Sequence, residues 1–167
     1  MIIIVFGLPG TGKSFFSRHL ADEIGAAYLN TDIVRGELNL QGLYTPQSKR
    51  RVYDRLLLQA GQKRMKYKNV IVDGTFQRRN ARRRFSERAS QWKQPVRFIE
   101  MRSTDRTVRK RISEEREYSE ADFKVYRQIK YNFEKMERPH LVLQSDALSL
   151  EEMINKAKAY IHEERTD

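Results

Sequence analysis

The residues with the clearest chemistry lie near the start of the chain. Gly7-Leu8-Pro9-Gly10-Thr11-Gly12-Lys13-Ser14 has the spacing G-x-x-x-x-G-K-[ST], and it joins the apolar run MIIIVF to a stretch of helical periodicity. The glycines let the backbone curl until several N–H groups face one centre, where phosphate oxygens fit. A helix starting at Lys13 adds partial positive charge beneath that centre. Lys13 supplies the charge that reaches the β- and γ-phosphates, and Ser14 a hydroxyl for Mg²⁺. With Phe15 closing the segment, Gly7 to Phe15 is the expected binding set for ATP and its magnesium ion.

A metal-bound nucleotide needs an acid on a second buried strand, and Val70-Ile71-Val72 ends in Asp73. An Asp capping the turn at Asp73-Gly74 has the same pattern. A second acid, Asp32, stands three residues before Arg35 in YLNTDIVRGEL. Alone, that pair reads as a surface ion pair opening a helix. One helix and one strand after the phosphate loop, it reads as a general base for an attacking hydroxyl, with an arginine to hold an anionic group. Thr75 and Arg79, just beyond the third strand, join Asp32 and Arg35 as acceptor-binding candidates. Residues 105–122 carry Arg106, Arg109, Arg111 and Arg116, and form the expected arginine-bearing lid over the transferring phosphoryl group. Arg111 and Arg116 are the expected catalytic arginines. Interleaved Glu114, Glu115 and Glu117 allow the same segment to be a solvated helix laced with ion pairs.

These groups must be positioned by alternating strands and helices. MIIIVF, AAYLN, NVIVDG, PVRFIEMR and HLVLQSD read as five strands. Residues 13–24 read as a helix with Phe15, Phe16, Leu20 and Ile24 inward. Thr45-Pro46 is a helix start, Ser119-Glu120-Ala121-Asp122 a capping box, and Ser149-Leu150-Glu151-Glu152 another. Leu150, Met153, Ile154, Ala157, Tyr160 and Ile161 form a core stripe on the last helix. The alternation predicts one α/β domain over residues 1–167, a five-stranded parallel sheet with helices on both faces and a helical lid.

Composition narrows the classes. The 167 residues contain no cysteine, and His19, His140 and His162 show no metal-ligand spacing, so thiol chemistry and a zinc site are not expected. MIIIVF is too short for a membrane span and lacks a basic flank, so a cytoplasmic protein without a membrane partner is expected. The net charge of +11 favours polyanionic partners, and the arginines of 76–88 are candidate anion contacts. A guanine-reading N-K-x-D is absent: Asn155-Lys156 continues as Ala157-Lys158, which argues against a GTPase switch.

The motifs GLPGTGKS, TDIVR, VIVDGTF with QRRNARRR, and RKRISEEREYSEADFKVY together resemble the P-loop kinase-like AAA-domain predicted kinases, a group that includes polynucleotide 5′-hydroxyl kinase domains. The resemblance implies Asp32 as general base toward a 5′-hydroxyl and Arg35 as a phosphate contact. Lys13, Ser14 and Arg111 or Arg116 would complete the site. LYTPQSKRRVYDRLL followed by VIVDGTFQRR also resembles predicted kinases that occur alone or fused to aminoglycoside-phosphotransferase-like domains. The expectation is an ATP- and Mg²⁺-dependent kinase whose hydroxyl acceptor is a polynucleotide end or a small metabolite. The alternative is a basic nucleic-acid-binding ATPase with no acceptor.

Overall fold

The structure is a computed structural model and describes residues 1–115 and 120–163. Strand β1 (Ile2–Phe6) is buried at every position, as five consecutive apolar residues in a doubly covered parallel sheet must be. It is followed by α1 (Lys13–Ile24), β2 (Ala27–Asn30), α2 (Thr31–Glu37), α3 (Pro46–Lys63) and β3 (Val70–Asp73). Then come α4 (Arg79–Gln91), β4 (Val96–Arg102), α5 (Asp105–Glu115), α6 (Glu120–Tyr131), β5 (Leu141–Gln144) and α7 (Leu150–His162). All five strands are parallel and lie in the order β2-β3-β1-β4-β5.

Alternation along β1 sends its side chains into two cores. Ile2, Ile4 and Phe6 meet Val52, Leu56 and Ala60 of α3 and Phe85 and Ala89 of α4. Ile3 and Val5 meet Phe16 and Leu20 of α1 and Met153, Ile154, Ala157 and Ile161 of α7. Each such side chain contributes about 2 kcal/mol by leaving water. Thr45 caps α3 by accepting from Ser48 N, and Ser149 closes a complete capping box with Glu152. Both caps are legible from local residue types because their partners are three residues away. The Ser119 capping box lies outside the described residues.

One inward assignment is corrected. Phe15 is 57% exposed and stacks on His19, with ring centroids 4.4 Å apart. The sheet-facing side of α1 is set by Phe16, Leu20 and Ala21, which leaves Phe15 a hundred degrees round the helix. Among the described residues, no helix is long and apolar enough to cross a membrane.

Candidate active site

In parallel sheets of this kind, ligands bind beyond the carboxyl ends of the strands, where the connections diverge to opposite faces. Here β1 leads to α1 on one face, while its neighbour β3 leads to α4 on the other. Gly7 leaves β1 at φ +144°, and a Cβ there would come within 2.3 Å of the Met101 carbonyl oxygen, so no side chain fits. Gly12 caps α1 at φ +83°, the left-handed conformation that turns the loop into the helix. Thr11 Oγ1 and Lys13 Nζ both donate to the Leu8 carbonyl, at 2.8 and 2.7 Å, folding the loop around the lysine. Burial pulls the Lys13 ammonium below its ordinary pKa, and the charges of Asp73 and then Asp32 act against that pull. Both acids therefore lie within electrostatic reach of Lys13.

Asp73 is fully buried at the end of β3. Its Oδ2 accepts from Tyr28 Oη (2.9 Å) and Asn30 Nδ2 (2.7 Å), and its Oδ1 has no partner. A bare buried carboxylate oxygen is costly unless a cation meets it. Asn30 Nδ2 is also 3.2 Å from Ser14 Oγ, so carboxylate and hydroxyl share one corner of the site. Hard oxygen donors of this kind fit Mg²⁺, which takes one or two protein oxygens and fills its shell with phosphate and water. Among the described residues, no three acidic or histidine side chains converge on a metal position. Desolvation and the Asp73 charge push the Tyr28 hydroxyl up to about 12, which keeps it a proton donor to Asp73.

Asn30 also works in the other direction. Its Oδ1 accepts from Asp32 N (2.7 Å) and Ile33 N (3.2 Å), making it the N-cap of α2. One side chain thus ties the Asp73–Ser14 corner to the helix that carries Asp32. Asp32 itself is exposed in the first turn of α2.

Arg35 is 7% exposed, and its Nη1 donates to the Leu43 carbonyl, which Ser48 Oγ also reaches at 2.8 Å. Its guanidinium lies 4.5 Å from the centre of the Tyr44 ring. Among the described residues it makes no ion pair with Asp32; Nη1 is held by the 38–45 loop, and Nε, also buried, has no hydrogen-bond partner. Tyr44, beside it, is 60% exposed.

The acceptor candidates beyond β3 are fixed by backbone. The Thr75 carbonyl accepts from Gly7 N at 3.4 Å, which joins that turn to the phosphate loop. Arg79 pairs with Glu137 at 2.7 Å. Three more arginines of the run meet acids: Arg78 meets Glu134, Arg83 meets Glu87, and Arg84 meets Asp54. Arg82 is buried, donating to the Phe76 and Glu134 carbonyls, with its guanidinium 5.3 and 5.7 Å from the centres of the Phe6 and Phe133 rings.

On the other side of the loop, Arg111 Nη1 donates to the Gly10 carbonyl (3.2 Å) and to Ser145 Oγ (2.9 Å), and Nη2 to the Ser145 carbonyl (3.3 Å). Of the two expected catalytic arginines, Arg111 therefore stands against the phosphate loop, and Arg116 lies outside the described residues. Asn30, Tyr28 and Ser145 were not foreseen. Asn30 before Thr31-Asp32 has the residue type of an N-cap, the one local signal that could have marked it.

Comparison with known proteins agrees with this fold. The AAA domain model AAA_33 matches residues 2–136. The chain belongs to that P-loop kinase-like AAA domain family. A member of the family shares its fold with a gluconokinase from Sinorhizobium meliloti 1021, at a TM-score of 0.75 and 16% identity over 95% of this chain and 90% of that one. The APS kinase of Mycobacterium tuberculosis, solved with AMPPNP and APS, superposes at a TM-score of 0.77 with 15% identity over 97% of each chain. A stretch of 39 residues is 46% identical to an adenylate kinase from Thermococcus gammatolerans, spanning 23% of this chain and 17% of that enzyme.

Proposed function

We infer that the protein is an ATP- and Mg²⁺-dependent kinase that transfers the γ-phosphoryl group to a hydroxyl. The observation that carries this reading is the double use of Asn30, which holds the Asp73–Ser14 corner with its amide nitrogen and the Asp32 helix with its amide oxygen. The charge of Asp32 also acts on Lys13, which supports a base facing the phosphate loop. Gly7 to Phe15 bind the nucleotide, and Lys13 stabilises charge on the β- and γ-phosphate oxygens. Mg²⁺ held by Ser14 and Asp73 would neutralise the same oxygens when bound. The acceptor oxygen gives its proton to an Asp32 carboxylate oxygen and forms the new O–P bond. The bond from γ-phosphorus to the bridging oxygen breaks, and its electron pair leaves on ADP. Arg111, and Arg116 with it, close over the phosphoryl group.

Internal pairing of Arg78, Arg79, Arg83 and Arg84 supports a small hydroxyl metabolite as acceptor rather than a polynucleotide 5′ end. Exposed Lys49, Arg51 and Arg55 of α3 keep the second acceptor, and a nucleic-acid-stimulated ATPase, as the competing readings. The test is γ-labelled ATP with 5′-hydroxyl DNA and RNA, nucleosides, sugars and aminoglycosides. Label on a small acceptor is the expected result, and label appearing only as free phosphate would overturn the kinase reading. Asp32→Asn should lower kcat by about 10²-fold or more with ATP affinity unchanged by calorimetry.

A further inference from the structure

A second concave site lies far from the phosphate loop. The loop leaves β1 at Phe6, whereas this cavity, about 470 Å³, opens beside Val96, which pairs with Ile2 at the opposite end of the same strand. That volume falls within the range that holds a small ligand. Two hydroxyls, Ser86 and Ser90, line it from one face of α4, a turn apart. Lys93, just past that helix, brings one cation, and Arg138, from the segment before β5, brings another. Val96 and Phe98 supply an apolar wall, and no carboxylate lines the cavity.

At the start of α4, Arg78, Arg79 and Arg83 are matched to acids, to Glu134, Glu137 and Glu87. Among the described residues, neither Lys93 nor Arg138 has such a partner. Lys93 also takes φ +54° at the end of α4, where its N–H bonds to the Ser90 carbonyl (2.9 Å) and Gln94 N to the Ala89 carbonyl (2.9 Å). That helix-ending turn ordinarily recruits glycine, because a side chain in the left-handed region is strained. Lys93 holds that conformation at the cavity rim.

We propose that the Ser86–Ser90–Lys93–Arg138 cavity binds a small phosphomonoester, its phosphate on the two cations and two hydroxyls and its apolar part on Val96 and Phe98. Arginine and lysine cations with serine hydroxyls in one lining suit a tetrahedral dianion, toward which Ser86 Oγ would turn from the Arg82 carbonyl it now meets at 3.3 Å. The site is independent of nucleotide chemistry and stands whether or not the kinase reading holds.

The test uses the full chain saturated with ADP, titrated calorimetrically with phenyl phosphate and separately with inorganic phosphate. Saturable 1:1 binding of phenyl phosphate is expected, tighter than that of inorganic phosphate because of the apolar wall. Lys13→Ala should retain it. Lys93→Gln with Arg138→Gln should raise the Kd at least about tenfold, with the melting temperature and ADP affinity unchanged, and Lys93→Arg with Arg138→Lys should restore binding. No saturable binding in the presence of ADP, loss of binding in Lys13→Ala, or unchanged binding in the double glutamine variant would each overturn the proposal.

Discussion

Asn30 does two jobs that are usually given to separate side chains. As an N-cap it satisfies two orphan N–H groups of α2, and as a donor it meets the buried carboxylate of Asp73. Asn30→Ala removes the cap and leaves a second Asp73 oxygen under-bonded, at a combined cost of about 2 kcal/mol. The melting temperature should fall by roughly 6 °C in differential scanning calorimetry. The buried tyrosines set an alkaline limit. Tyr28 and Tyr53 are each pushed up to about 12, chiefly by burial. Between the ordinary tyrosine pKa, near 10, and about 12, the folded chain keeps protons that the unfolded chain has lost. Their contribution is therefore full below about pH 10 and is lost as pH rises toward 12. Lys13, pulled down by burial, acts in the opposite sense, so the clean measurement is a difference. Tyr28→Phe should show a shallower fall in melting temperature from pH 9.5 to 12 than the parent chain.

At the scale of elements, the strands and the phosphate loop were legible because each is encoded within a few residues. IIIVF and VIV are continuous apolar runs, and the GLPGTGKS spacing fits one backbone path. The capping box of α7 is equally local. Ser149→Ala should cost about 1 kcal/mol, or roughly 3 °C by differential scanning calorimetry, because it removes the oxygen that accepts from Glu152 N. What the sequence hid were partnerships across distance. Asn30 meets Asp73 forty-three residues on, and Arg111 meets Ser145 thirty-four residues on. Three-residue spacing puts Arg35 near Asp32 in sequence, but spacing cannot tell that the Leu43 carbonyl accepts from it. Nor can spacing show that the acids meeting Arg78 and Arg79, Glu134 and Glu137, belong to a segment more than fifty residues away.

At the scale of the whole molecule, the sheet order places the first strand made at the centre. Ile2 of β1 pairs with Val70 on one side and Val96 on the other. On a ribosome adding about 5–20 residues each second, β1 waits roughly 5–20 s before its second partner emerges. Through that interval its five side chains, all buried in the finished fold, have only half a sheet to enter. Synthesis should therefore pass through a stage that leans on chaperones holding apolar segments. Stalled nascent chains exposing residues up to about 90 should be cut readily by protease within the β1 to α1 region, and chains exposing β4 and α7 should resist. Early protection at residue 90 would mean that β1 and β3 form a stable unit without β4.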